Sequence, residues 1–250
     1  MTHDNALRAR SFDAAAAAYA RHRPSYPPAL FDAVEQLVGR SLDGAVVVDV
    51  GAGTGIATAL LVARGARVLA VEPGDGMAAQ FRSTLPGVPL VRGDGDALPL
   101  ADGSADLITY AQSWHWTDQK RSVPEAMRVL RTGGALALWW NVSDHEVDWI
   151  AAQDARLRVH LGAEEGAHGG THRPKALTEA LDFTARQVAW TRTLSVEDHL
   201  ANLATHSAFL VRDARSTADF MERERRELLE VFPDGQVEER YVVDLRVAYA

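Results

Sequence analysis

The sequence predicts a doubly wound α/β fold, and three observations carry that prediction. Short apolar runs alternate with segments of helical periodicity through about residue 141. The run Val46-Val47-Val48-Asp49-Val50 is apolar on both faces, as in a strand covered on each side by crossover helices. Gly51-Ala52-Gly53-Thr54-Gly55 follows it directly and opens into another apolar helical segment.

The elements are justified in chain order. A helix starts near Pro27 or Pro28, since proline is tolerated in a first turn, and carries Leu30, Phe31, Val34, Leu37 and Val38 on one stripe. Strand one spans about 45 to 50, where four valines suit an extended, buried chain. Ile56 to Ala63 supplies the crossover helix, ended by Arg64-Gly65, and Arg67 to Glu72 gives strand two. Strand three is expected at 88 to 92. Strand four runs from 106 to 110 after the turn Asp102-Gly103-Ser104, and strand five from 135 to 140 after the break Thr132-Gly133-Gly134. Beyond it, residues 147 to about 161 read as an amphipathic helix and Gly162 to Gly170 as a loop rich in Gly and Ala. Two late strands, about 186 to 193 and 240 to 248, flank a long helical stretch, and their pairing is left open.

Composition narrows the function classes. A chain of 250 residues, 47% hydrophobic, can bury one substantial core, so one domain over 1–250 is expected. A net charge of −8 disfavours a sequence-independent grip on nucleic acid, which needs clustered Lys and Arg. With no cysteine there is no disulfide, thiolate metal site or cysteine nucleophile. The polar start Met1-Thr2-His3-Asp4 lacks a secretory core, and no apolar run approaches the ~20 residues of a membrane span. The expectation is a soluble cytoplasmic protein, monomer or homodimer, with no nucleic-acid or membrane partner.

The glycine run has its own chemistry. Glycines at 51, 53 and 55 let the backbone turn sharply beside a ligand, and the helix amino terminus behind them presents free N–H groups to an anion. Glu72, 21 residues after Gly51, ends the next strand where an acid can accept hydrogen bonds from both ribose hydroxyls. The dinucleotide fingerprint G-x-G-x-x-G needs glycine at position 56, which is Ile56 here, so a pyrophosphate cofactor fits less well.

Val48-Asp49-Val50-Gly51-Ala52-Gly53-Thr54-Gly55 resembles motif I of the class I S-adenosylmethionine-dependent methyltransferases. Val71-Glu72-Pro73-Gly74-Asp75-Gly76-Met77 resembles the strand-two motif, whose acid binds ribose and whose following loop, here with Met77, covers adenine. Gly93-Asp94-Gly95-Asp96 resembles the next, with Asp94 on the adenine amino group and Gly95 offering an N–H; an Asx turn is the plain alternative for Asp94. Tyr110-Ala111-Gln112-Ser113-Trp114-His115-Trp116 resembles the A-x-x-x-H-W signature of the small-molecule branch that includes trans-aconitate methyltransferase-like enzymes.

The resemblance implies a Rossmann-like seven-stranded, mostly parallel sheet with an antiparallel last strand. It also implies an N-terminal helical cap over 12–40, a cofactor-binding core over 41–141, a substrate-side helical region with a late strand over 142–235, and a final strand over 236–250. The implied cofactor is S-adenosyl-L-methionine, leaving as S-adenosyl-L-homocysteine, held by Tyr19, Arg23, Asp49, Gly51, Ala52, Gly53, Glu72, Pro73, Met77, Asp94, Gly95 and Gln112. The acceptor is a small molecule or short peptide methylated on a carboxylate or hydroxyl, with Tyr26, Trp114 and Trp116 lining its pocket and Ser113 and His115 as catalytic candidates. His115, with an ordinary pKa near 6.5, suits a base or an orienting group; the alternative is a structural imidazole between two indoles. Arg23 can equally be a solvated surface arginine, and the two indoles can be core filling.

Other chemistries leave few traces. Tyr110-Ala111-Gln112-Ser113 replaces the D/N-P-P-Y motif of base-methylating enzymes, and H-E-x-x-H and G-x-S-x-G are absent, so no metal site is expected. An NAD-linked oxidoreductase and a non-catalytic S-adenosylmethionine-binding protein are the alternatives.

Overall fold

The computed structural model describes residues 15–162, 177, 180–210 and 212–250. The glycine- and alanine-rich loop expected at 162–170 and the start of the cap therefore fall, but for Gly162, outside the described residues. Seven strands form one sheet in the order β3-β2-β1-β4-β5-β7-β6. They are β1 (Val46–Val50), β2 (Arg67–Val71), β3 (Leu90–Val91), β4 (Ala105–Ala111), β5 (Leu130–Ser143), β6 (Thr184–Ser195) and β7 (Gln236–Tyr249). The first five pair in parallel, and β7 lies antiparallel between β5 and β6. The doubly wound sheet with an antiparallel last strand is thus the observed one.

Residues 15–22 form α1, followed by α2 (Pro28–Val38), α3 (Ile56–Ala63), α4 (Asp75–Thr84), α5 (Gln119–Val129), α6 (Asp148–Leu161), α7 (Val196–Ala204), α8 (Ser207–Leu210) and α9 (Ala214–Val231). Helix α2 begins on Pro28 and ends at Gly39, whose φ of 71° lets its N–H turn back to Glu35 O. Its Leu30, Phe31 and Val34 pack with Leu61, Trp139 and Leu245 on one sheet face. Val48, Ile108, Tyr110, Trp114, Leu136 and Trp140 fill the other. Trp139 and Trp140 are consecutive on β5 and so point to opposite faces, one indole into each core.

Three segments differ from the sequence expectation. Met77 lies in the first turn of a helix, not a loop: Met77, Ala78 and Phe81 bury one stripe of α4. Strand three is two residues long. Strand five starts at Leu130 and runs through Thr132-Gly133-Gly134 as a bulge, because pairing jumps from Ala105↔Leu130 to Leu107↔Ala135.

The β6–β7 ribbon outruns the sheet. Its last pairing against β5 is Ser143↔Tyr241, yet β6 stays paired to Ser195↔Gln236. That extension supports α7 and α9 through Val196, Leu200, Leu228 and Val237.

Candidate functional site

The loops after β1, β2 and β4 meet at the carboxyl ends of the parallel strands, the crevice where open α/β sheets bind ligands. Gly51, Gly53 and Gly55 have φ of 67°, 58° and 92°, a left-handed region that side chains disfavour. The N–H groups of Gly51 and Ala52 both donate to Val71 O, at 2.8 and 3.1 Å, so the first half of the loop is stitched to β2. A Cβ on Gly51 would stand 2.5 Å from the Ser113 Cβ, and one on Gly53 would meet no protein atom within 4 Å.

Glu72 ties two turns together. Its Oε2 accepts from Gly53 N–H at 2.8 Å and its Oε1 from Gly74 N–H at 2.7 Å, with the side chain buried. Asp49 sits deeper: its carboxylate accepts from the hydroxyls of Thr58 (2.6 Å) and Thr109 (2.8 Å), knitting β1 to α3 and β4. Burial holds the Asp49 carboxyl above its ordinary value, against the opposing pull of those two bonds. Thr58 and Thr109 carry no sequence signal; only the register Asp49↔Thr109 brings the second into reach.

Asp94 makes the Asx turn, its Oδ1 accepting from Asp96 N–H and Ala97 N–H. Gly95 is buried, and a Cβ there would lie 2.9 Å from the Tyr110 ring and hydroxyl. Asp96 carries no sequence signal of its own, yet its Oδ1 accepts from Asp118 N–H at 2.8 Å and fixes the loop to the start of α5; burial raises its carboxyl. Pro73 is exposed and Met77 buried on α4.

On the β4 side, Gln112 has φ 59°, the single left-handed non-glycine among the described residues. Such strain persists where neighbours enforce it: Gln112 N–H donates to Trp139 O and its side-chain amide reaches Asn141 O. The Ser113 hydroxyl donates to Val50 O at 2.6 Å, so it couples the β4 loop to the end of β1. Trp114 is buried edge-on against Tyr110 at 4.7 Å, within the core. His115 and Trp116 complete a 3-10 turn, Trp114–Trp116, with their rings 4.7 Å apart.

The cap is fastened to the late elements. Arg23 lies over the Tyr19 ring at 4.8 Å and donates to Thr205 O beyond α7, and Arg192 donates to His22 O. Tyr26 is buried edge-on against Trp139. Asn141 on β5 donates to Ser25 O and accepts from the Trp190 indole, a latch that the sequence pattern does not show. The expected site residues thus divide. Gly51, Ala52, Gly53, Glu72, Gln112 and Ser113 are joined in one crevice, Tyr19 and Arg23 are joined in the cap, and Asp49, Tyr26 and Trp114 lie in packed interior.

The two glycines make a testable pair. Gly51→Ala is expected to cost about 2 to 4 kcal/mol of folding stability, left-handed strain plus overpacking against Ser113. Gly53→Ala is expected to cost roughly 1 to 2 kcal/mol, strain alone. Urea unfolding of both variants checks the order, and equal losses would refute the Gly51–Ser113 contact.

Residues 48–138 match the family model described as a methyltransferase domain. An uncharacterized methyltransferase of Mycobacterium tuberculosis is 36% identical over 225 residues, 89% of this chain and 87% of that protein. A malonyl-[acyl-carrier protein] O-methyltransferase of Methylococcus capsulatus is 45% identical over 97 residues, 36% of this chain and 35% of that protein. A solved structure from Anaeromyxobacter dehalogenans, provisionally assigned as a type II methyltransferase, superposes with a TM-score of 0.68 at 22% identity. It covers 91% of this chain and 97% of its own.

Proposed function

The chain belongs to the class I S-adenosylmethionine-dependent methyltransferases, and from that membership we propose that it moves a methyl group to a carboxylate or hydroxyl oxygen of a small molecule or short peptide. The observation that carries the reading is the Glu72 carboxylate bridging Gly53 N–H and Gly74 N–H. A carboxylate has about four acceptor sites and no donor, the chemistry that a ribose diol requires. Gly53 faces space that no side chain fills, as a ligand lying along the loop requires. The residues therefore fit the cofactor.

In this reading Glu72 holds the ribose, Asp94 and Gly95 the adenine edge with Pro73 and Met77 beside it, and Gly51, Ala52, Gly53 and Gln112 the methionine portion. Asp49 acts from beneath, by keeping β1 and α3 in place. Tyr19 and Arg23 close over the cofactor carboxylate, for which a guanidinium is the better-matched cation. S-adenosylmethionine supplies an activated methyl group when bound. The chain's own contribution is to hold an acceptor oxygen in line with that group and to exclude water, which can supply most of the acceleration. Trp116 and the cap face of Tyr26 line the acceptor side, and Trp114 supports it from the core. Oxygen is favoured as the target because the Methylococcus relative is an O-methyltransferase.

Calorimetry with S-adenosylmethionine and with NAD tests the cofactor. Binding of S-adenosylmethionine alone is expected, and binding of NAD alone would overturn the reading. Incubation with labelled S-adenosylmethionine and a metabolite extract is expected to yield a product heavier by one methyl group. Cofactor binding without any labelled product would instead indicate a non-catalytic binding protein.

A further inference from the structure

Trp140 gives His115 a fixed chemical character. Its indole is wholly buried on β5, and its Nε1–H donates to His115 Nδ1 at 3.3 Å. An indole nitrogen is a donor only. Nδ1 must therefore keep its lone pair, and the proton of the neutral ring resides on Nε2. A proton on Nδ1 would set two N–H groups against each other and strand a buried donor, at a cost of a lost hydrogen bond plus desolvation. The ring has little freedom to escape this contact. Its turn is closed by Trp116 N–H on Ser113 O and by the Thr117 N–H and hydroxyl on Trp114 O, and Trp116 lies against it.

Resting on the methyltransferase reading above, we propose that Trp140 is a positioning residue that holds His115 as a neutral Nε2–H hydrogen-bond donor toward the acceptor, and that His115 is not the base of the reaction. The chemistry of the neighbouring groups agrees. A hydroxyl acceptor must shed a proton as its C–O bond forms, and His115, its lone pair covered by the Trp140 N–H, does not take it. A carboxylate acceptor is ionised at neutral pH and sheds none. One of its oxygens forms the C–O bond to the methyl carbon as the C–S bond breaks and the electron pair returns to sulfur, giving a methyl ester and a neutral thioether. A donor at Nε2 aligns such an acceptor through its second oxygen.

The test combines a spectrum with a product. In the full chain labelled with 15N-histidine, His115 is expected to show a protonated Nε2 and an unprotonated Nδ1 at neutral pH. Trp140→Phe, which removes the donor and keeps an aromatic ring, is expected to shift that pattern toward a mixture of tautomers. A protonated Nδ1 in the wild type, or an unchanged pattern in Trp140→Phe, would overturn the proposal. The methylated product from the metabolite extract is expected to release labelled methanol in mild alkali, as an ester does; an alkali-stable ether would overturn it. His115→Ala is expected to lower product formation at least tenfold and His115→Gln, which restores an N–H donor, to recover most of it; equal loss in both would overturn the donor role. Failure of the wild type to bind S-adenosylmethionine by calorimetry would overturn the underlying reading instead, and is read separately from the tautomer.

Discussion

Replacing Glu72 by alanine is expected to weaken S-adenosylmethionine binding at least tenfold, about 1.4 kcal/mol. The size of the effect follows from a double role. Toward the ligand, the carboxylate is the ribose acceptor. Toward the protein, it joins the glycine loop at Gly53 to the turn at Gly74 that opens α4. Both bonds are charge-assisted and short, the kind worth roughly twice a neutral one. Alanine would release both turns while β1, β2 and their neighbours stay packed, since Val48, Val50 and Val71 belong to a core that Glu72 does not enter. The comparison variant is Glu72→Gln, in which one amide N–H must face a backbone N–H, so its affinity is expected between wild type and alanine. Calorimetry, with circular dichroism as a check on folding, decides the matter. An unchanged dissociation constant in a folded Glu72→Ala variant would remove Glu72 from the cofactor site.

What the sequence made legible was local. The valines of β1, the proline and glycine bounding α2, and the glycine loop with its acid are each written within a stretch of about 25 residues or fewer, so periodicity and turn chemistry expose them. Helix α4 was hidden because Pro73, Gly74 and Gly76 signal a loop, while its apolar stripe is only Met77, Ala78 and Phe81. The bulge in β5 was hidden because Gly133-Gly134 marks a break and a bulge equally well. At the site, the acid and the glycines were readable as residue types. The Ser113 bond to Val50 and the Trp140 bond to His115 were not, because each joins strands through register rather than through spacing. The cluster around Glu239 is the extreme case. It assembles Gln153, Arg192, His199, Asn202 and Tyr241 from α6, β6, α7 and β7, and each of these residues is unremarked in its own segment.

That cluster is expected to dominate the stability of the substrate-side region. Glu239 is buried, with Oε1 on His199 Nδ1 at 2.6 Å and Oε2 accepting from the Arg192 guanidinium and from the Tyr241 hydroxyl at 2.8 Å. His199 Nε2 faces Gln153 Oε1 at 3.1 Å, and Gln153 in turn donates to Glu224, whose carboxylate takes a two-pronged bond from Arg156. Glu239→Ala would leave the buried His199 and the half-buried Arg192 without their shared anion, a loss of about 3 to 5 kcal/mol. Because Arg192 also donates to His22 O, the same change should loosen the cap. Acid provides the second readout. Burial pushes the Glu239 carboxyl up, but the hydrogen bond and charge of His199 and those of Arg192 outweigh it and bring it to about 2, against an ordinary 4.5. A carboxyl depressed in the folded state contributes its full stability above its unfolded value and loses it as pH falls toward the folded one. The stability gap between wild type and Glu239→Ala in urea unfolding is therefore expected to be constant above about pH 4.5 and to narrow as pH falls from there toward 2. A gap of the same size throughout the acid range would show that alanine costs packing rather than charge.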